Sequence, residues 1–155
     1  MIWLNILWPA FAFVVLAFTI MGVLIAQRLA HMKRTPPTRA DFVSSTTATR
    51  YFEPVEAAAN NLRNLFETPV LFLVLIPLLI ITRQAWPAQT LLAWAFVASR
   101  YAHSWFQLKG RVRPRFYAFL VSITALLAMW IGFFADTVAA VIAYQQAIAT
   151  MGSQP

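Results

Sequence analysis

The stretch from Asn60 to Ile81 constrains this chain more than any other, because two incompatible environments meet within it. Its first half carries Asn60, Asn61, Arg63, Asn64 and Glu67, and its second half is apolar from Val70 to Ile81 apart from nothing more polar than Pro77. Only a bilayer or a deep core accepts the second half. At about 100° per residue, Glu53, Glu56, Asn60, Arg63, Asn64 and Glu67 fall within one arc of roughly 100°, while Asn61, Leu62 and Phe66 point elsewhere. The pattern predicts a membrane helix with a single polar stripe. That stripe has to face protein, water or a ligand, since polar groups are not tolerated against lipid.

Of the 155 residues, 61% are hydrophobic, and the mean hydropathy is +0.67. Soluble domains sit near roughly 45–50% apolar, which argues against a water-soluble fold. Twelve Lys and Arg against five Asp and Glu give a formal charge of +7. These cations cluster beside apolar spans, a pattern that fits membrane lipids with anionic headgroups and topology control, not nucleic acid. The chain has no cysteine, which excludes disulfides, thiolate metal sites and a cysteine nucleophile, and its two histidines make a metal centre unexpected. Any thiol chemistry needs a thiol from the substrate.

The fold class that follows is an all-α integral membrane protein, a single domain over residues 1–155 built as a four-helix transmembrane bundle. Helices are expected over about 2–27, 54–82, 87–108 and 115–149, with a loop over 28–53. The first apolar run is too long for a signal-peptide core and no Lys or Arg precedes it, so it reads as a retained span. Pro36, Pro37 and the run Ser44-Ser45-Thr46-Thr47 mark 28–53 as a connection. Pro69 and Pro77 each remove a backbone donor, so a kink is expected in the second helix. Ala118, Ala125, Gly132 and Ala139 recur at seven-residue steps along the last helix, a line of small residues that permits close helix approach.

Two side chains dominate the apolar interior. Counted along the helices at about 1.5 Å per residue, Glu67 and Arg100 reach nearly one depth, and the penalty for an unpaired charge there predicts that they pair. His103 sits one turn beyond Arg100, followed by Gln107; Asn60, Arg63 and Asn64 add groups suited to carboxylates and amides. Arg113 and Arg115 stand where the fourth helix enters the membrane. The arrangement fits the floor of a polar pocket opening to the cytoplasmic side, or, alternatively, charge pairs that only fix helix packing.

The pattern Asn64-x-x-Glu67-x-Pro69-x-x-Phe72, followed by Arg100-x-x-His103-x-x-x-Gln107 and a basic turn into Arg115-Phe116, resembles the MAPEG family, the membrane-associated proteins in eicosanoid and glutathione metabolism. The wording Asn64-Leu65-Phe66-Glu67-x-Pro69-Val70-Leu71-Phe72 is most similar to its prokaryotic branch. The resemblance implies a homotrimer, a glutathione site between subunits near the cytoplasmic face, and a lipophilic small-molecule substrate. It implies that Asn64, Glu67, Arg100 and His103 contact glutathione and that Arg115 stabilises the thiolate; the polar stripe and the basic turn add Asn60, Arg63, Gln107 and Arg113 as candidate binding residues. Asn60 stands where the family has an arginine and Gln107 where it has a tyrosine. Three functions fit these residues: a glutathione-dependent transferase or peroxidase, a non-catalytic member binding another anionic ligand or lipid headgroup, and a membrane assembly protein. A transporter does not, since the outer half lacks a matching polar path.

Orientation rests on Arg28, Lys33, Arg34, Arg39 and Arg50 in the first loop and Lys109, Arg111 and Arg113 in the third, against Arg83 alone in the second. Positive-inside bias puts loops one and three in the cytoplasm and both termini outside the cell (inner) membrane. A Thr46→Cys variant of this cysteine-free chain should therefore resist impermeant maleimide in intact cells and react after permeabilisation. Labelling from outside overturns the orientation.

Overall fold

The computed structural model describes residues 2–152, which are helical nearly throughout and include no strand. In order the helices are α1 (Leu7–Arg34), α2 (Ser45–Phe52), α3 (Glu56–Phe66), α4 (Val70–Ile81), α5 (Pro87–Leu108) and α6 (Val112–Gly152). Three stretches, Leu4–Arg34, Ser45–Ile81 and Val112–Met151, are long and apolar enough to cross a membrane. The third anticipated span, α5, is not among them. Its sequence devotes one face to Gln89, Ser99, Arg100, His103, Ser104 and Gln107, and all six are buried. This most polar of the long helices is also the innermost, packing against α1, α3 and α6.

Three of the expected boundaries change. The segment 28–53 is not a bare loop: α1 continues to Arg34, and hydroxyl side chains start new helices instead of ending one. Thr38 opens a 3-10 turn by donating its backbone N–H and its hydroxyl to Asp41 Oδ2, both at 2.7 Å. These two bonds hold the Asp41 carboxyl below its usual range. Ser44 caps α2 by accepting from the Thr47 amide at 3.2 Å. Aromatic contacts then fold α2 back onto the end of α1: His31 meets Tyr51 with ring centroids 4.8 Å apart, the Arg28 guanidinium lies 4.7 Å over Phe52, and the Tyr51 hydroxyl donates to the Thr35 carbonyl.

The helix anticipated over 54–82 is broken, not merely kinked. α3 ends at Phe66, Glu67 adopts φ −87° and ψ −96°, and α4 restarts after Pro69. Pro69 cannot donate to the carbonyl one turn back and disfavours helical geometry in Thr68 before it. Pro77, by contrast, stays inside α4. The last helix begins three residues earlier than expected, because Pro114 falls in its first turn, where a missing N–H has no intrahelical partner to lose. The α5–α6 connection is accordingly tight, with Gly110 at φ +67° and the Arg111 amide bonded to the Phe106 carbonyl at 2.9 Å. At about 1.5 Å per residue α6 is about 60 Å long, and every described side chain from Val138 to Met151 is exposed.

Phe13, Phe72 and Phe96 bring α1, α4 and α5 together, with Phe72 and Phe96 stacked at 4.5 Å and Phe13 at 6.0 Å from Phe72. The line of small residues serves the α5–α6 seam: Ala118 and Ala125 are buried, while Ala139 is exposed. Gly132 lies against Gln89, whose Nε2 donates to the Met129 carbonyl at 3.1 Å. A Cβ on Gly132 would stand 2.9 Å from that nitrogen. Gly132→Ala should therefore break this bond and destabilise the protein by about 1–2 kcal/mol. In a Gln89→Ala background the same change should be nearly silent; additive losses in thermal unfolding would show that the two sites do not meet.

Candidate functional site

The break after α3 and the tight α5–α6 turn set up one cleft. On α3, Asn60, Arg63 and Asn64 recur at helical spacing, and Glu67 follows in the turn. On α5, His103 and Gln107 lie one turn apart, and the first turns of α6 add Arg113 and Arg115. These eight side chains, together with Val112, Phe116, Tyr117 and Phe119, line a cleft of about 760 Å³.

A chain of hydrogen bonds ties the three helices across it. Asn64 Nδ2 donates to Gln107 Oε1 at 3.3 Å, which also lies 3.1 Å from His103 Nε2. His103 Nδ1 donates to the Arg115 carbonyl at 3.1 Å, fixing the start of α6 to α5. The His103 ring therefore joins α5 to the start of α6, and Gln107 joins it in turn to Asn64 on α3.

Charge in the cleft is unbalanced. Arg63, Arg113, Arg115 and Glu67 all line it, and among the described residues none of the three guanidiniums is paired with Glu67 or bonded through its side chain. Free guanidiniums beside a free carboxylate suit a ligand that carries charges of both signs.

Arg100 is the exception among the site residues anticipated from sequence. It is 1% exposed and does not line the cleft. The expected pair with Glu67 does not form within the chain: Glu67 is exposed, whereas Arg100 Nη2 donates to the Asn64 carbonyl at 2.8 Å. The reason lies in the break. Ending α3 at Phe66 leaves carbonyls in its last turn without helical donors, at the negative end of the helix dipole, and the guanidinium caps one of them. Its Nε has no hydrogen-bond partner among the described residues.

Asn61 and the rings Tyr117 and Phe119 were not anticipated. Asn61, off the polar stripe, is buried against α5: its Nδ2 donates to the Ser104 carbonyl at 3.3 Å and its Oδ1 accepts from Ser104 Oγ at 3.0 Å. An asparagine on the apolar side of a membrane helix was the readable signal, since it demands an interhelical partner. Phe116, Tyr117 and Phe119 directly follow Arg115 in sequence, so an aromatic wall beside the basic entry was legible too.

No curated protein and no solved structure matches this chain. The family model that does match, over residues 6–135, covers α1 to α5 and most of the length of α6 that packs against them. The cleft lies wholly within the matched region. On that match the chain belongs to the MAPEG family.

Proposed function

We propose that this protein is a glutathione-dependent transferase or peroxidase acting on lipophilic electrophiles within the membrane. The observation that carries the reading is the cleft in which Arg63, Arg113 and Arg115 stand unpaired beside Glu67. Glutathione has carboxylates at both ends, an ammonium, two amides and a thiol, and the lining offers a counterpart to each. Arg63 and Arg113 suit the carboxylates, Glu67 the ammonium, and Asn60, Asn64 and Gln107 the amides. His103 and Arg100 act one step back, through the Arg115 and Asn64 carbonyls respectively.

Bound glutathione supplies a nucleophilic sulfur, which attacks only as the thiolate. A thiol near pKa ~8.5 is mostly protonated at neutral pH and needs a neighbouring cation. Arg115, permanently charged at the head of α6, is the group suited to that task. An apolar groove of about 440 Å³ lies one turn further along α6, lined by Thr68 and Leu71 from the broken helix and by Ile123, Leu126, Leu127 and Trp130 of α6. It suits the lipophilic partner.

The same reading makes α5 a span as well, the third of four in chain order, with loops one and three cytoplasmic, and a homotrimer the working unit. Arg63, Glu67 and Arg113 are exposed in the single chain. Groups of that kind at the level of a bilayer need cover from a neighbouring copy. Native mass spectrometry in a mild detergent should return trimers, and monomers alone would count against this.

Isothermal titration should give glutathione binding at millimolar concentration or below, and absence of heat there removes the transferase reading. If binding occurs, thiolate absorbance should rise at lower pH in the complex than in free glutathione. Arg115→Leu should abolish that displacement, retain most of the affinity, and slow reaction with an activated aryl halide by about 10–100-fold, the effect of one or two pKa units. Arg113→Leu should weaken binding without moving the titration. The reverse pattern reassigns the thiolate role to Arg113.

A further inference from the structure

Away from the cleft, the segment between α1 and α2 presents an apolar tip that the described residues leave exposed. Val43 is 80% exposed and Phe42 49% exposed. The 3-10 turn Arg39–Phe42 eclipses residues three apart, so Arg39 stands beside Phe42 and Ala40 beside Val43. The tip is built, not slack. Phe42 packs on Tyr51 at 5.8 Å and on Phe52 at 6.2 Å, and those rings are held to the end of α1 through His31 and Arg28.

Its level can be read from α1. Leu7 to Ala26 is apolar or neutral and, at about 1.5 Å per residue, spans the ~30 Å of a hydrocarbon core. His31 lies five residues further, about 7.5 Å beyond that core, in the headgroup layer. The ring cluster built on His31 therefore sits at the headgroup level. Around it are Lys33, Arg34, Arg39 and Arg50, all exposed; of the nearby acids, Asp41 is spent on Thr38, and Glu53 and Glu56 line a pocket with Arg50, which leaves Lys33, Arg34 and Arg39 without an acid beside them.

We propose that the Phe42–Val43 tip inserts into the leaflet on its own side as an interfacial anchor, with Arg39, Arg50 and the Lys33–Arg34 pair bound to anionic lipid phosphates. An apolar wedge ringed by cations matches an anionic bilayer surface in both shape and charge. A soluble anion would satisfy the arginines but would leave Val43 in water.

The absence of cysteine allows a direct test in the full-length protein. Val43→Cys and Thr46→Cys, the latter an exposed hydroxyl position on α2, are each labelled with a bimane fluorophore and reconstituted in nanodiscs of phosphatidylcholine containing roughly 30 mol % phosphatidylglycerol. Lipid brominated near the top of its acyl chains should quench the label at 43 at least about twofold more than at 46, and aqueous iodide should show the opposite order. Replacing Arg39 and Arg50 together by Gln, or omitting phosphatidylglycerol, should bring quenching at 43 down toward that at 46. Equal lipid quenching at the two positions, stronger iodide quenching at 43, or shielding of 43 from both quenchers by a second copy overturns the proposal. Lipid quenching at 43 that ignores both the arginines and the phosphatidylglycerol overturns its electrostatic half.

Discussion

The hydrogen bond from Arg100 to the Asn64 carbonyl holds the arrangement together, because it lets a membrane helix be broken in mid-course. Ending α3 at Phe66 strands carbonyls that in water would simply be solvated. In a bilayer they need a donor from the protein, and the buried guanidinium reaches one of them at 2.8 Å. The exchange works in both directions. A cation with no carboxylate partner is tolerated in the interior because it lies at the negative end of a helix dipole. Past the break, Glu67 still lines the cleft beside Asn60, Arg63 and Asn64, and Thr68 and Leu71 line the apolar groove.

From that follows the inverted layering of the chain. The most polar long helix, α5, turns its polar face to α1, α3 and α6 and leaves Leu91, Trp94 and Trp105 exposed on the other, so polar side chains meet one another in the centre. Asn61 with Ser104, Asn64 with Gln107, and Gln89 with the Met129 carbonyl are each a bond between helices that lipid cannot compete for. Apolar packing, such as the Phe72–Phe96 stack, fills the spaces between these bonds. In lipid the apolar contacts give close fit more than burial, which leaves relative helix position to the polar pairs.

Much of the cleft was legible because its residues obey local rules. Asn60, Arg63 and Asn64 share a helix face, and His103 and Gln107 are one turn apart, so spacing alone brought them together. What spacing could not give was the partner of Arg100. Depth counting assumed one continuous helix from 54 to 82, which places Glu67 and Arg100 at one level. Pro69 was visible in the sequence, yet a proline yields either a kink or a break according to whether a distant donor satisfies the freed carbonyls. Here that donor sits 36 residues away on α5. The segment 28–53 misread for a related reason: Ser44 and Thr38 look like loop residues by composition, and become helix caps because Tyr51 and Phe52 find rings and a cation on α1.

The way Arg115 is held ties the fold to the proposed chemistry. An arginine that must lower a thiol pKa gains most from a fixed position, because charge stabilisation falls with distance and a mobile side chain spends part of its time in water. Among the described residues the Arg115 side chain has no bond of its own, but its backbone is pinned by His103 Nδ1 at 3.1 Å. His103 is pinned in turn, through Gln107 and Asn64, to the carbonyl that Arg100 caps. One continuous run of polar contacts therefore connects the break in the second span to the head of α6. Glu67 at one end and Arg115 at the other are the carboxylate and one of the three cations that the cleft leaves free, and what lies between them is a run of buried and half-buried bonds and not a direct pair. A direct pair would have neutralised both and left the cleft with little to offer a charged ligand.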